Sequence, residues 1–70
     1  MSDAKRRRLT ELATQSLRFR EQLAELQAHY RRIRDQTPEH DLDVLLDYIE
    51  MLQVRIEVNS ETIDRLLDEI

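Results

Sequence analysis

The sequence predicts an all-α protein: an antiparallel, coiled-coil-like hairpin of two long helices. Three observations predict this fold. The 70 residues contain no Gly and a single Pro, and they are rich in Leu, Glu, Gln, Arg and Ala, which favour helices. Apolar residues recur at alternating steps of three and four along both halves of the chain. Pro38 lies near the middle and separates the two halves, so we expect residues 1–70 to form one hairpin domain.

The bend is predicted from the residues around Pro38. The first helix is expected over about residues 3–35, the turn at about 36–37 and the second helix over about 38–69. Thr37 is a favourable N-cap, and Pro38 is favourable at the first helical position. Because Pro disfavours helical geometry in the residue before it, the first helix has to end shortly before Thr37.

Each predicted helix carries one heptad seam. The seam of the first helix consists of Leu9, Leu12, Ser16, Phe19, Leu23, Leu26, Tyr30 and Ile33. The seam of the second consists of Leu42, Leu45, Ile49, Leu52, Ile56, Asn59, Ile63, Leu66 and Ile70. If the chain folds back at the bend, residues whose numbers sum to 75 face each other, and seam residues meet seam residues. The polar members, Ser16 and Asn59, then share one layer, where we expect them to hydrogen-bond to each other and to fix the register.

A second apolar stripe beside the seam of the second helix predicts a further helical neighbour. Three of its residues repeat at the heptad interval, and a helix that is apolar over more than one stripe usually packs against more than one neighbour. The predicted partner-binding residues are Val44, Tyr48, Met51 and Val58, with Leu46, Leu67 and Leu17 on other flanks. We expect a two-fold homodimer that forms a four-helix bundle, and the alternative partner is another helical protein. Scattered exposed apolar side chains are the simpler interpretation.

Charge is divided unequally between the two halves of the chain. The formal net charge is -4, yet residues 1–36 hold nine of the eleven Lys and Arg residues and only five of the fifteen Asp and Glu residues. The second half holds the other two basic and ten acidic residues. The halves, at +4 and -8, therefore attract each other at short range, and salt weakens this attraction.

The strongest local charge cluster is a candidate anion-binding patch. It consists of Lys5, Arg6, Arg7 and Arg8. Such a cluster can bind phosphates or a nucleic acid. The alternative is a solvated helix start in which Arg8 approaches Glu69 of the other arm. Because no aromatic platform for bases accompanies the cluster, nucleic-acid binding is the less favoured function.

No catalytic, cofactor-binding or metal site is predicted. The chain has no Cys, and neither His29 nor His40 has a metal-ligand or nucleophile partner at a suitable spacing. Residues 42–46 match the LxxLL form of coactivator helices, but two of these Leu residues are already needed in the seam. The absence of Cys fits a reducing compartment, and no signal peptide or membrane span is evident. We therefore expect a soluble, cytoplasmic protein without a membrane partner.

These features predict a small protein-protein interaction module that acts through apolar helix faces. An adaptor, a co-chaperone and a regulatory protein all fit this description, and an enzyme does not, since two narrow helices enclose no ligand-sized cavity. In build alone, the hairpin resembles plasmid RNA regulators and type III secretion co-chaperones, and this resemblance implies no role for any residue. The alternative function is a nucleic-acid or phosphate-binding regulator that uses the basic first helix.

Overall fold

The computed structural model describes residues 2–69, which form two long α-helices packed against each other. Helix α1 spans Asp3–Ile33 and helix α2 spans Glu39–Asp68. Together they make a rod with extents of 52 × 14 × 13 Å, which matches the length of a helix of about 30 residues at about 1.5 Å per residue. The all-helical hairpin predicted from the two seams and the single Pro is confirmed.

Ser2 caps the N-terminus of α1. Its backbone is extended, with φ -74° and ψ 154°, and its hydroxyl oxygen accepts a hydrogen bond from the backbone N–H of Lys5 at 3.2 Å. This bond satisfies one of the free N–H groups that every helix start exposes. Asp3 adds a negative charge beside the positive end of the helix dipole. The cap therefore holds the basic cluster in helical geometry from its first residue.

The bend differs in detail from the sequence prediction on the α1 side. Helix α1 ends at Ile33, two residues earlier than expected, and the N–H of Arg34 still bonds to the carbonyl oxygen of Tyr30 at 2.9 Å. The N–H of Gln36 then bonds to the carbonyl oxygen of Ile33 at 3.0 Å, which closes a tight turn. This turn connects the end of α1 to Thr37, the residue that Pro38 disfavours in helical geometry.

On the α2 side, the prediction that Thr37 is the N-cap is wrong. Pro38 occupies the N-cap position with φ -55° and ψ 143°, and no side chain caps the helix. The carbonyl oxygen of Pro38 accepts hydrogen bonds from the N–H groups of Asp41 and Leu42 at 3.0 and 3.2 Å. The Pro ring fixes only φ, so Pro38 can occupy either the N-cap or the first helical position. Its extended ψ places it at the N-cap, just outside the helix. Glu39 and Asp41 complement the positive helix end instead of a hydroxyl cap.

The predicted seam forms the contact between the helices. Every seam residue from Leu9 to Leu66 is buried or half-buried, and Ile70 lies outside the described residues. The buried apolar residues of the described range are Leu12, Ile49 and Leu52, and Leu52 is only 2% exposed. Two helices can shield just one narrow row of side chains between them, so the hydrophobic core of the hairpin is thin.

Two contacts between the arms report the register. The side-chain amide of Asn59 donates a hydrogen bond to Oε1 of Gln15 at 2.9 Å, and Nζ of Lys5 lies 3.2 Å from Oε2 of Glu69. In each pair, the two residues lie equally far along the chain from Thr37. Both contacts therefore require the fold-back that the mirrored seams predict.

The hydrogen bond predicted between Ser16 and Asn59 is wrong. Ser16 is buried at 7% exposure, and its hydroxyl has no hydrogen-bond partner among residues 2–69. Asn59 bonds to Gln15 instead, because the longer Gln side chain reaches it at the half-exposed edge of the seam, whereas the short Ser side chain points into the interior. The role of Asn59 in fixing the register stays a prediction, with Gln15 as its hydrogen-bonding partner.

Replacement of Ser16 by Ala should stabilise the hairpin. The substitution removes a buried hydroxyl that lacks a partner and adds a better helix former, so we expect the free energy of unfolding to rise by about 1–2 kcal/mol. Urea denaturation followed by circular dichroism measures this change. Ser60→Ala, at a half-buried position within α2, is the control for helix propensity and should add about 0.5 kcal/mol or less. Equal gains from the two variants would contradict the view that the Ser16 hydroxyl is unsatisfied.

The hydrogen bond between Asn59 and Gln15 can be measured by a double-mutant cycle. Asn59→Ala and Gln15→Ala, alone and together, should show a coupling of about 0.5–1 kcal/mol in the free energy of unfolding. The same cycle with Gln22→Ala in place of Gln15→Ala is the control, since Gln22 occupies the same heptad position one repeat later. Equal coupling in both cycles would show that no specific bond forms.

Candidate protein-interaction surface

One face of α2 away from the seam carries a continuous apolar surface, which we call the α2 stripe. Its residues are Val44, Tyr48, Met51, Val54 and Val58. Each of these side chains is substantially exposed, from 44% for Met51 to 62% for Val44. Successive steps of four, three, three and four residues keep them on one side of the helix, because each residue turns the helix by about 100°. The predicted second stripe is therefore exposed as a single surface.

Val54 belongs to the α2 stripe, and the sequence analysis missed it. It is 51% exposed and lies three residues after Met51 and four before Val58. Residues at these intervals are neighbours on a helix surface. Val54 does not belong to the heptad repeat of Val44, Met51 and Val58, from which the stripe was predicted. Its spacing of three residues from Met51 was sufficient to predict that it lies on the same face.

Two opposite charges complete the face around Met51. Asp47 lies four residues before Met51 and Arg55 four residues after it, so both adjoin the α2 stripe. Both side chains are exposed. Neither forms an ion pair with another residue in the range 2–69. The middle of the α2 stripe therefore offers an acidic and a basic group on either side of an apolar centre.

The α2 stripe borders the groove between the helices. Tyr48 lines an open groove together with Leu26, His29 and Arg32 of α1. Farther along α2, Val54 and Val58 line a small depression. A helix packed on the α2 stripe would therefore also contact the part of α1 that lies beside Tyr48.

The other apolar residues predicted to bind a partner do not join this surface. Leu46 lines a groove with Tyr30 and Ile49 on the opposite side of the seam. Leu67 shares that flank of α2 but lies about 30 Å farther along the helix. Leu17 is exposed on the outside of α1. These three side chains are exposed as isolated apolar residues, which is normal for a protein surface.

The basic cluster lies at the open end of the hairpin. Lys5, rather than the expected Arg8, pairs with Glu69, because Lys5 is the cluster residue that lies closest to the seam. Both partners are largely exposed, so this ion pair contributes only about 0–1 kcal/mol. Arg6, Arg7 and Arg8 are exposed near the positive end of the α1 dipole, where cations are unfavourable. The candidate anion patch of Lys5, Arg6, Arg7 and Arg8 stays a prediction, with Lys5 shared with Glu69.

The described part of the chain offers neither a metal site nor a membrane span. Within residues 2–69, no group of three His, Asp or Glu side chains is placed to hold a metal ion. Neither α1 nor α2 contains an apolar stretch long enough to cross a membrane. Comparisons with protein-family models, with curated proteins and with solved structures found no match to this chain.

Proposed function

We propose that this chain is a small protein-interaction module, an adaptor or regulatory protein that binds a helical partner through the α2 stripe. The observation that carries the proposal is the distribution of apolar side chains on α2. The seam buries two apolar side chains of α2, Ile49 and Leu52, while five large apolar side chains of the α2 stripe remain exposed on the outer face. Contiguous exposed apolar surface of this kind marks interaction sites on soluble proteins.

A helical partner suits the shape of this surface. The α2 stripe is about 21 Å long from Val44 to Val58, as expected for 14 residues at about 1.5 Å each, and it is narrow, with Tyr48 and Val54 on either side of a central row. A partner helix that presents its own apolar row matches such a stripe along its length. Two further helices, from a second hairpin or from another protein, would complete a four-helix bundle around α1 and α2.

The energetics favour a partner that covers more than the α2 stripe. Its side chains are already about half shielded, so completing their burial contributes about 1 kcal/mol each. Association itself costs several kcal/mol in lost translational and rotational freedom. Contacts with the α1 flank near Tyr48 and with the charges of Asp47 and Arg55 supply the additional interactions that a stable complex requires.

Affinity capture with matched variants tests the proposal. The tagged chain is expressed in its native cells, and co-purifying proteins, including untagged copies of the chain, are compared between wild type, Val58→Asp and Leu17→Asp. Val58→Asp places a carboxylate in the α2 stripe. Because a partner would have to bury this charge at a high cost in free energy, the variant should no longer retain the partner. Leu17→Asp places the same charge on the outside of α1 and should leave the partner bound, since Leu17 is similarly exposed but lies off the stripe.

The salt dependence of capture separates this function from anion binding by the basic cluster. A complex held by the α2 stripe should persist between about 0.1 and 0.5 M salt, because apolar burial is little affected by screening. A complex of Arg6, Arg7 and Arg8 with nucleic acid should weaken steeply over the same range. Loss of all partners at high salt, with Val58→Asp behaving as wild type, would contradict the proposed function.

A further inference from the structure

We infer that the helical partner of the α2 stripe is a cationic amphipathic helix. Its apolar row packs on the α2 stripe, and Lys or Arg side chains on one of its flanks lie over the acids of α2. This inference rests on the proposed function and specifies the chemistry of the partner. The observation that carries it is a line of acidic side chains along one side of the α2 stripe, which we call the acidic row. Its members are Asp43, Asp47, Glu50, Glu57, Glu61, Asp64 and Asp68.

The acidic row runs beside the α2 stripe over its whole length. Its members follow one another at steps of three and four residues, with a single step of seven between Glu50 and Glu57, where Val54 takes the intervening position. Because each residue turns a helix by about 100°, all seven acids lie about 40–140° to the same side of Met51. Residues at these steps are neighbours on a helix surface, so the row forms a continuous acidic edge to the apolar surface.

The acidic row is not neutralised within the hairpin. All seven side chains are exposed, and none forms an ion pair with another residue in the range 2–69. Arg65 lies four residues after Glu61 and three before Asp68, yet it donates a hydrogen bond to Oγ1 of Thr62 at 3.4 Å instead. Like charges at neighbouring positions of a helix repel each other, and cations that lie over the row relieve this repulsion.

The outer face of α1 shows that a solvated face of this hairpin does not require a single sign of charge. There, exposed bases and acids alternate, as in Arg7, Glu11, Arg18 and Glu21. The acidic row instead combines one sign of charge with an apolar edge. This combination is complementary to a helix that carries cations beside an apolar row, and such complementarity selects the partner and speeds its association.

A second copy of the chain does not supply this chemistry. In an antiparallel pair of α2 helices, like flanks face each other, so the acidic row of one copy would lie against that of the other. In a parallel pair, the row would face the other flank of the α2 stripe, where Arg55 is the one Lys or Arg of α2. Helix α1 carries cations but no exposed apolar row, since Leu17 is its one large apolar side chain with high exposure in the described range. The partner is therefore a different chain.

Two labelled synthetic helices test the chemistry of the partner. Both span about 21 residues, or three heptads, with Leu along one apolar row, and the flanking positions hold Lys in one peptide and Glu in the other. In fluorescence anisotropy at about 0.1 M salt, the whole chain should bind the Lys peptide at least tenfold more tightly than the Glu peptide. At about 0.5 M salt this difference should shrink, while the Lys peptide stays bound through its apolar row. Equal affinities at low salt, or no binding of the Lys peptide at about 1 mM, would overturn the inference.

Matched variants show whether the Lys peptide binds at the acidic row or responds only to the net charge of the chain. Asp47→Asn combined with Glu61→Gln removes the acids one heptad before and one heptad after Val54, and should weaken binding about fivefold. Glu11→Gln combined with Glu21→Gln removes the same charge from exposed positions of α1, and should leave the affinity within about twofold of wild type. Since fewer like-charge neighbours do not destabilise a helix, unfolding cannot imitate the loss. Equal losses in the two double variants would contradict binding at the acidic row.

A pair of variants without a change of charge tests the apolar contact. Val58→Asn replaces part of the α2 stripe by an amide and should weaken the Lys peptide about tenfold. Leu17→Asn makes a similar change on the outside of α1, at a side chain of similar exposure, and should not affect binding. If Val58→Asn binds as tightly as wild type, the peptide contacts the acids alone and the inference is wrong.

The capture experiment separates failure of this inference from failure of the proposed function. A native partner that is retained less by the double variant of Asp47 and Glu61 than by that of Glu11 and Glu21 would support both. A partner that is lost with Val58→Asp but unaffected by either double variant would overturn the cationic helix and leave the α2 stripe as an interaction surface. A purified chain that is dimeric at about 100 µM and does not bind the Lys peptide would assign the stripe to a second copy, again overturning the inference alone. If Val58→Asp releases nothing, both fall.

Discussion

The contact between α1 and α2 along one narrow seam is the constraint on which the other features of this hairpin depend. Leu12, Ile49 and Leu52 are its buried apolar residues within the described range, and the other apolar seam side chains there are only partly shielded. Two helices cannot enclose more than one row of side chains, so any further apolar residue has to lie on the outside. The seam therefore aligns the two arms, and it also leaves the second apolar face of α2 uncovered.

The two helices divide the remaining surface between them by chemistry. The outside of α1 is polar and mainly basic, whereas α2 combines many acidic side chains with the α2 stripe. The acids of α2 lie mostly beside or behind the stripe, and Asp47 and Arg55 alone adjoin its centre. Helix α1 thus contributes mainly its seam to the fold. Helix α2 contributes a seam and also presents the α2 stripe, whose two ends differ in charge. This difference arises because Asp47 precedes Met51 along the helix and Arg55 follows it.

Heptad spacing and the single Pro were sufficient to predict the hairpin, its seam and most of the α2 stripe, because each depends on the periodicity of a helix. Details that depend on side-chain length were not predictable in this way. Gln15, rather than Ser16, reaches Asn59 because its side chain is longer, and Lys5 meets Glu69 because it lies nearer the seam than Arg8. The capping residue of α2 depended on the ψ angle of Pro38, which the sequence leaves free.

The short bend at residues 34–38 also governs how the chain reaches this structure. It closes a very small loop, so bringing Ile33 and Leu42 together costs little chain entropy. Each later layer extends the contact already made, and none requires a large loop to be closed on its own. Assembly should therefore start at the bend and spread towards the termini, as is typical of rapidly folding helical proteins of low contact order. The termini, joined by one exposed ion pair, close last and open first.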